Sequence, residues 1–462
     1  MTQIAQPERL TISDQIERAY STMKLTRAHL GVVVMVLLGA FFDSIEQNAV
    51  GVAGPALRES WGLGPADVGL LNTVTFTAIA LGRLTAGFTS DRWGRRRLLT
   101  VNLLVFSFGS LLCAIAPDYG ILLLARFIVG IGIGGEIATA ITMMSEFFSA
   151  KHRGVAAGLV NVAAAGLGNM LAPLFGIIVF AIFTGGEQWR YFFAVLLLPA
   201  LLVVVYRRGL PESPRYLAAS GRIDEANTVL NRLAQGKLRG ELTEQKQYLD
   251  TSTAVEVEEA PRMAWTHVFR GRHLRTTLPL CIAVTMSYGG QISMATLIPL
   301  ILTERGFEIT TALWYTLIMQ SGSLIGSVFA SFVSRRLPRR AVLTGAAVLG
   351  LIAALGFGFA APTIPLVLLF GALFNFAVIT INTTIFLYAP ELYPTRIRGL
   401  GTAVVLATGS LAGGLLPLLS GAVLAAGGVP AMFAMLAVFF IIGAIVVRIP
   451  RETIGRPLED GI

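Results

Sequence analysis

Twelve apolar runs leave this chain little choice of fold. Six fall at about 30–54, 66–89, 98–116, 120–147, 155–183 and 190–206, and six more at about 276–302, 312–334, 341–360, 363–388, 400–426 and 429–447. Read as helices rising about 1.5 Å per residue, they are long enough to cross a hydrocarbon core about 30 Å thick. Only 14% of the residues are charged, against about 25% in a soluble domain, so the chain reads as a polytopic membrane protein. Between the two sets runs a polar segment, 207–275, rich in both signs of charge. Within it GRIDEANTVLNRLAQG has a helical apolar period, so a linker with short helices is expected there.

The net charge of +9 would suit a nucleic-acid partner, but its distribution argues against one. Basic residues crowd into alternate loops: Arg92, Arg95, Arg96 and Arg97 after span 2, Lys151 and Arg153 after span 4, Arg335, Arg336, Arg339 and Arg340 after span 8, Arg396 and Arg398 after span 10. The intervening loops hold only Arg58, Arg190 and Arg305. The positive-inside rule then puts both termini and the linker in the cytoplasm, in a cell (inner or plasma) membrane. The N-terminal segment has no apolar core of the signal-peptide kind. Cys113 and Cys281 lie inside apolar runs and read as small core residues. The histidines lie outside the runs or at their edges, with no metal-ligand spacing, so neither a metal nor a cofactor is expected.

The chain repeats itself. Glu146 and Arg153–Gly154 recur 245 residues later as Glu391 and Arg398–Gly399; Pro55, Gly62, Gly94 and Pro173 fall 244 before Pro299, Gly306, Pro338 and Pro417. So steady an offset implies two homologous six-helix halves related by an axis along the membrane normal, with a binding site between them near mid-membrane. The expected organisation is a tail 1–28, a bundle 29–206, the linker 207–275, a second bundle 276–448 and a tail 449–462.

Buried charge is the next signal. From Phe127 to Met144 the only charge is Glu136, and a charge at mid-membrane costs about 2.5–3.5 kcal/mol on insertion scales, which marks it as functional by default. Glycines 130, 132, 134 and 135 leave one face of the same helix bare for close packing. Span 1 carries Asp43 and Glu46 about one turn apart. Asp43 lies about 20 Å from the cytoplasmic end; Arg126 and Glu136, about 15 Å apart on the antiparallel span 4, bracket its level. A buried acid that alternately meets and leaves an arginine can load and release a proton. Arg83, inside span 2, either snorkels to the cytoplasm, pairs with Glu136 or holds a carboxylate solute. Asn72, Asn161, Asn169, Gln291, Asn375 and Asn382 could line the site, with Tyr288, Phe374, Phe376 and Tyr388 as aromatic walls.

The loop Gly87-Phe-Thr-Ser-Asp91-Arg92-Trp-Gly94-Arg95-Arg96-Arg97 resembles the signature loop of the major facilitator superfamily. Pro211-Glu212-Ser213-Pro214-Arg215, the loop Pro390-Glu391-Leu392-Tyr393-Pro394-Thr395-Arg396-Ile397-Arg398-Gly399 and the ending Glu452-Thr453-Ile454-Gly455 with Leu458-Glu459 are similar to motifs of its sugar-porter, organic-ion and synaptic-vesicle-protein-like branches. The triplet Gly134-Gly135-Glu136 resembles metabolite:proton symporters and nicotinate-type carriers. The sequence departs from sugar porters in having one glutamine, Gln291, in span 7, and Arg335 stands where the repeat would place a second Asp91.

The resemblance implies an all-α membrane protein, with twelve transmembrane helices in two pseudo-symmetric six-helix bundles. It implies a gate formed by Gly87, Asp91, Arg92, Gly94, Arg95, Glu146, Arg153, Glu212, Arg215, Arg335, Glu391 and Arg398, and proton coupling by Asp43 paired with Arg126, aided by Glu46 and Glu136. Arg83, Asn169, Tyr288, Gln291, Asn375 and Asn382 are the candidate solute contacts, and Glu136 is expected to face the central cavity. The reading is a secondary transporter, not an enzyme, working as a monomer in the lipid bilayer by alternating access and carrying a small organic acid with a proton, with no nucleic-acid partner. The alternatives are a proton-driven exporter of drugs or organic cations, a sugar:proton symporter, and a non-transporting sensor.

Overall fold

The computed structural model describes residues 11–250, 268–333, 336–360, 363–393 and 397–453. A chain in hydrocarbon must satisfy every backbone N–H and C=O within itself, which makes helices of the apolar runs. A short amphipathic helix, α1 (Ile12–Thr22), comes first, its start held by a reciprocal Thr11–Asp14 capping box. The first four spans are α2 (Arg27–Trp61), α3 (Pro65–Trp93), α4 (Arg95–Ala114) and α5 (Tyr119–Glu146). Span 5 is α6 (Ala150–Asn161), a π-helical stretch Val162–Gly168 and α7 (Asn169–Ile182); span 6 is α8 (Gln188–Val195) and α9 (Leu202–Gly209). The linker forms α10 (Pro214–Ala219) and α11 (Ile223–Gln235), the latter on the expected segment.

The second half holds α12 (Leu274–Glu304), α13 (Ile309–Val333), α14 (Arg339–Phe359), α15 (Ile364–Tyr388) and α16 (Arg398–Val446). Among the described residues, eleven helical stretches are long and apolar enough to cross a bilayer, and α16 supplies two crossings. Its 49 residues are broken at Gly428, whose φ of 71° only glycine adopts cheaply. Pro430, two residues on, adds a missing N–H at the same turn. Twelve crossings result.

Two apolar cores match the two halves. One gathers Phe76, Phe106, Phe147, Trp189 and Phe192; the other is built around Phe357, Phe374, Phe433 and Phe440. Leu84, Leu104, Leu124, Ile325, Phe332, Ile352 and Ile445 stand exposed around the outside, an apolar girdle of a size that lipid rather than water accommodates.

The glycines of α5 serve two faces rather than one. A Cβ on Gly130 or Gly134 would overlap the carbonyl oxygens of Thr75 or Ile79 on α3, whereas one on Gly132 would lie 2.6 Å from the Phe106 nitrogen of α4. In the second half Gly322 and Gly326 of α13 lie equally close to the α15 backbone. Both pairs have the four-residue spacing that lets helices touch backbone to backbone.

Call the membrane face that carries α1, α10 and α11 the linker side. On the opposite side the halves are sealed together. Arg58 pairs with Glu304, Asn72 Nδ2 donates to Thr296 Oγ1 at 2.5 Å, and Thr73 Oγ1 donates to the Gly414 carbonyl at 2.7 Å. α1 is fastened to the linker side by Glu17–Arg215 at 3.0 Å, by the Tyr20 hydroxyl donating to the Glu146 carbonyl at 2.9 Å, and by Asp250 N donating to Gln15 Oε1 at 2.9 Å.

Candidate functional site

Between the halves, from mid-membrane toward the linker side, lies a cavity of about 170 Å³. α2 supplies Ser44, Gln47 and Asn48; α3 supplies Arg83; α5 supplies Ile137, Ala138 and Ile141; and Val160, Asn161, Ala164 and Asn169 come from span 5. The other half adds Val284, Tyr288, Gln291 and Ile292 from α12, Ile379, Asn382, Ile385 and Phe386 from α15, and Ala403, Leu406 and Gly409 from α16. Among the described residues, Arg83 is the only charged one of this lining. Its Nη1 donates to Ser410 Oγ at 2.5 Å and to the Leu406 carbonyl at 3.3 Å, and no carboxylate among the described residues stands within ion-pair distance.

Most of the lining amides are already engaged. Asn48 Nδ2 donates to Asn169 Oδ1 at 2.9 Å, Asn382 Nδ2 to Gln291 Oε1 at 2.7 Å and Asn161 Nδ2 to Thr383 Oγ1 at 2.8 Å. Ser287 Oγ donates to Asn382 Oδ1 at 2.6 Å. A solute here meets apolar surface, paired amides and one guanidinium, whose five N–H donors exceed its contacts with Ser410, Leu406 and Tyr288.

Arg83, Asn169, Tyr288, Gln291 and Asn382 therefore reach the cavity together, but Asn375 does not. It lies two turns, about 10 Å, beyond Asn382 toward the sealed side, where its Nδ2 donates to the Met319 and Gly371 carbonyls at 3.2 and 3.0 Å. Of the expected aromatic walls only Tyr288 lines the cavity. Phe374 packs against Phe433 and Phe440, Phe376 against Phe329, and the Tyr388 hydroxyl donates to the Arg451 carbonyl. Gln47, Asn48 and Phe386 went unrecognised in the sequence. Gln47 had a signal, standing one helical turn after Asp43.

The mid-membrane acids sit behind the wall. Arg126 Nη1 pairs with Glu46 Oε1 at 2.6 Å, not with Asp43. Its Nε donates to Thr75 Oγ1 at 3.1 Å, its Nη2 to the Glu46 carbonyl at 3.3 Å, and the Phe193 ring lies beneath it. Asp43 instead accepts from Gln47 Nε2 at 3.2 Å, and Gln47 Oε1 accepts from the Tyr288 hydroxyl at 3.0 Å. The two acids are three residues apart, and the rotation of α2 against α5 turns the second toward the arginine.

Glu136 points away from the cavity. A Cβ on Gly39 would stand 2.6 Å from Glu136 Oε1 and overlap the Tyr206 hydroxyl, so the carboxyl is buried between α2, α5 and α9 while its neighbours Ile137 and Ala138 face the cavity. Neither of its oxygens has a hydrogen-bond partner among the described residues, and Arg83 is turned elsewhere.

The gate motifs form two matching clusters on the linker side. Arg95 Nη2 pairs with Glu146 Oε1 at 3.0 Å, and Glu212 Oε1 accepts from the backbone nitrogens of Arg95 and Arg96 at 3.0 and 3.2 Å. In the other half Arg339 Nη2 pairs with Glu391 Oε1 at 2.7 Å, and Glu452 accepts from the nitrogens of Arg339 and Arg340 at 2.9 and 3.0 Å. Each glutamate caps the positive start of a helix. A Cβ on Gly94 would come within 3.0 Å of Glu212 Cδ, and its φ is 92°. Arg92 is exposed, and its carbonyl accepts from the Tyr216 hydroxyl at 3.3 Å. Tyr393, beside the second cluster, shares a 2.9 Å hydrogen bond with Thr277 Oγ1, and burial pushes its hydroxyl up to about 12. Among the described residues, these contacts of each cluster lie within one half. Arg335 and the residues from Ile454 lie outside the described residues, as do the side chains of Asp91, Arg153 and Arg398 and the surroundings of Gly87.

The family described as "Sugar (and other) transporter" matches residues 56–461. The niacin transporter NiaP of Acinetobacter baylyi is 30% identical over 443 residues, which is 95% of this chain and 97% of that one. The gallate transporter of Pseudomonas putida is 28% identical over 408 residues, 88% of each chain. Among solved structures, the xylose transporter XylE from E. coli in a partially occluded inward-open conformation superposes with a TM-score of 0.72 at 18% identity. That match covers 93% of this chain and 99% of that one. With twelve crossings in two related halves, a cavity between them and a match running from the first span to the C-terminal tail, the chain belongs to the sugar (and other) transporter family of the major facilitator superfamily, multi-pass membrane transporters of small molecules and not enzymes.

Proposed function

We propose that this transporter is a proton-coupled symporter of a small aromatic carboxylate, of the nicotinate or benzoate kind, working as a monomer by alternating access. The observation that carries the reading is Arg83, the lone charge among the described residues lining a small cavity of apolar surface and paired amides. An apolar cavity of about 150 Å³ holds a benzene ring, so about 170 Å³ suits one ring with a carboxylate turned to the guanidinium. The engaged amides offer little to a sugar, whose many hydroxyls need free partners. An organic cation would want an acid on the wall, and none is found among the described lining residues. Relatives named for niacin and gallate support the same solute class. Three buried carboxyl groups of the first half, Asp43, Glu46 and Glu136, supply the proton sites. The arginine-rich loops favour a cytoplasmic linker side in the inner membrane, and on that reading the cavity lies on the cytoplasmic side of the seal.

The test is uptake of radiolabelled nicotinate and benzoate by proteoliposomes under an imposed proton gradient. Accumulation should collapse with a protonophore. Asp43→Asn should lose accumulation while keeping solute exchange, and Arg83→Gln should weaken affinity about ten- to a hundredfold, the value of a hydrogen bond to a charged group. Accumulation indifferent to the protonophore ends the symport reading. Unchanged affinity in Arg83→Gln ends the assignment of the carboxylate.

A further inference from the structure

Gln47 stands between a buried acid and the cavity, and the polarity of its two hydrogen bonds is dictated by chemistry. An ionised Asp43 can only accept, so the amide must turn its NH₂ to Asp43 Oδ2 and its carbonyl oxygen to Tyr288. Tyr288 has a single proton, and it is given to Gln47. The hydroxyl lies on the cavity wall within reach of the Arg83 charge, yet it cannot donate to a solute held there. Once Asp43 carries a proton, the acid is a donor and its natural acceptor is the amide oxygen. Half a turn of the amide about its last bond puts Oε1 on Asp43 and Nε2 on Tyr288. The tyrosine oxygen then accepts, and its O–H is freed toward the cavity.

We infer that Gln47 is the positioning residue that couples proton to solute: a proton on Asp43 inverts the Gln47 amide and turns the Tyr288 hydroxyl into a donor for the carboxylate beside Arg83. The inference rests on the proton-coupled reading and adds an order of events to it, proton first and acid second. The step breaks no covalent bond; one proton arrives at Asp43 and the amide and hydroxyl rotate. The other groups facing Asp43 are Arg83 from α3, Glu136 from α5 and Tyr288 from α12, with Glu46 one turn along its own helix.

Infrared difference spectroscopy of the full-length protein in lipid, with ring-labelled tyrosine and no solute, reads the switch directly. The tyrosine C–O stretch responds to whether the hydroxyl donates or accepts. Acidification should shift one tyrosine band in the wild type, and the shift should vanish in Tyr288→Phe, Asp43→Asn and Gln47→Leu. Gln47→Met, closer in length, replaces Gln47→Leu if the latter fails to reach the membrane. Nicotinate affinity should drop about tenfold or more as the pH rises in the wild type, and change less than about twofold in the Gln47 variant. A band shift that survives in the Gln47 variant, or no Tyr288 shift in the wild type, overturns the inference. Proton-driven accumulation without the Tyr288 shift removes the switch and leaves symport standing. The shift without proton-driven accumulation supports the switch and removes symport.

Discussion

Arg126 and Glu46 are fully withdrawn from water and hold each other at 2.6 Å, with Thr75 and the Phe193 ring completing the arginine's surroundings. Removing one partner of such a pair leaves a bare charge in hydrocarbon and costs about 3–5 kcal/mol. Arg126→Met should therefore lower thermal stability in detergent steeply, and Glu46→Gln in the same chain should restore much of it. If the double variant also regains proton-driven uptake, the pair is architecture and Glu46 leaves the proposed proton sites; stability regained without uptake would keep Glu46 among them. The sequence told the level of each charge, because a helix rises evenly, but not its partner. Asp43 and Glu46 share nearly one face of α2, and only the tertiary rotation of that helix chooses between them. Glu136 shows the same limit in another form. Its depth was legible, yet a step of one residue turns a side chain by about 100°, enough to carry it from the cavity into the bundle.

Within α5, alternate glycines bind different neighbours, so the effects of filling them should separate. A side chain at Gly134 would meet the α3 backbone at Ile79, Gly82 and Arg83, whereas one at Gly132 meets α4 at Phe106. Overpacking costs about 1–3 kcal/mol at either place. Gly134→Leu should also displace Arg83, reducing affinity for the proposed carboxylate solute along with stability, while Gly132→Leu should lower stability with affinity kept. Paired melting and binding measurements decide it, and equal binding loss in both would refute the assignment of faces. The four-residue spacing of Gly130 and Gly134 was visible in the sequence. That Gly132 and Gly135 serve a second helix was not, since it depends on α5 being clasped from two sides. The π-helical stretch Val162–Gly168, which gives Ala164 to the cavity wall, left no periodic trace in a uniformly apolar run.

For the whole molecule, the constant offset of 244–245 residues made the two related halves readable before any coordinate. Which side is sealed was not, because nothing along the chain tells that Arg58 meets Glu304, 246 residues away. Arg58–Glu304 is the one ion pair between the halves among the described residues, and its side chains are 41% and 36% exposed. Such a pair contributes about 0–1 kcal/mol, so Arg58→Gln should shift the two-state balance by at most about fivefold toward opening on that side. A cysteine at Thr296, buried beneath the seal, should be labelled faster by an impermeant maleimide in that variant, in a background lacking Cys113 and Cys281. An unchanged labelling rate would show that the helix crossings alone hold the seal. Glu212 and Glu452 extend the picture into biosynthesis. Each follows the sixth crossing of its own half and returns to the start of that half's third helix. The first half can thus fasten its own clasp while the second is still unmade on the ribosome. The second half stays unclasped until the codon for Glu452 has been read, so a message cut just before it yields one finished bundle tethered to an unfinished one, the kind of product that membrane proteases remove.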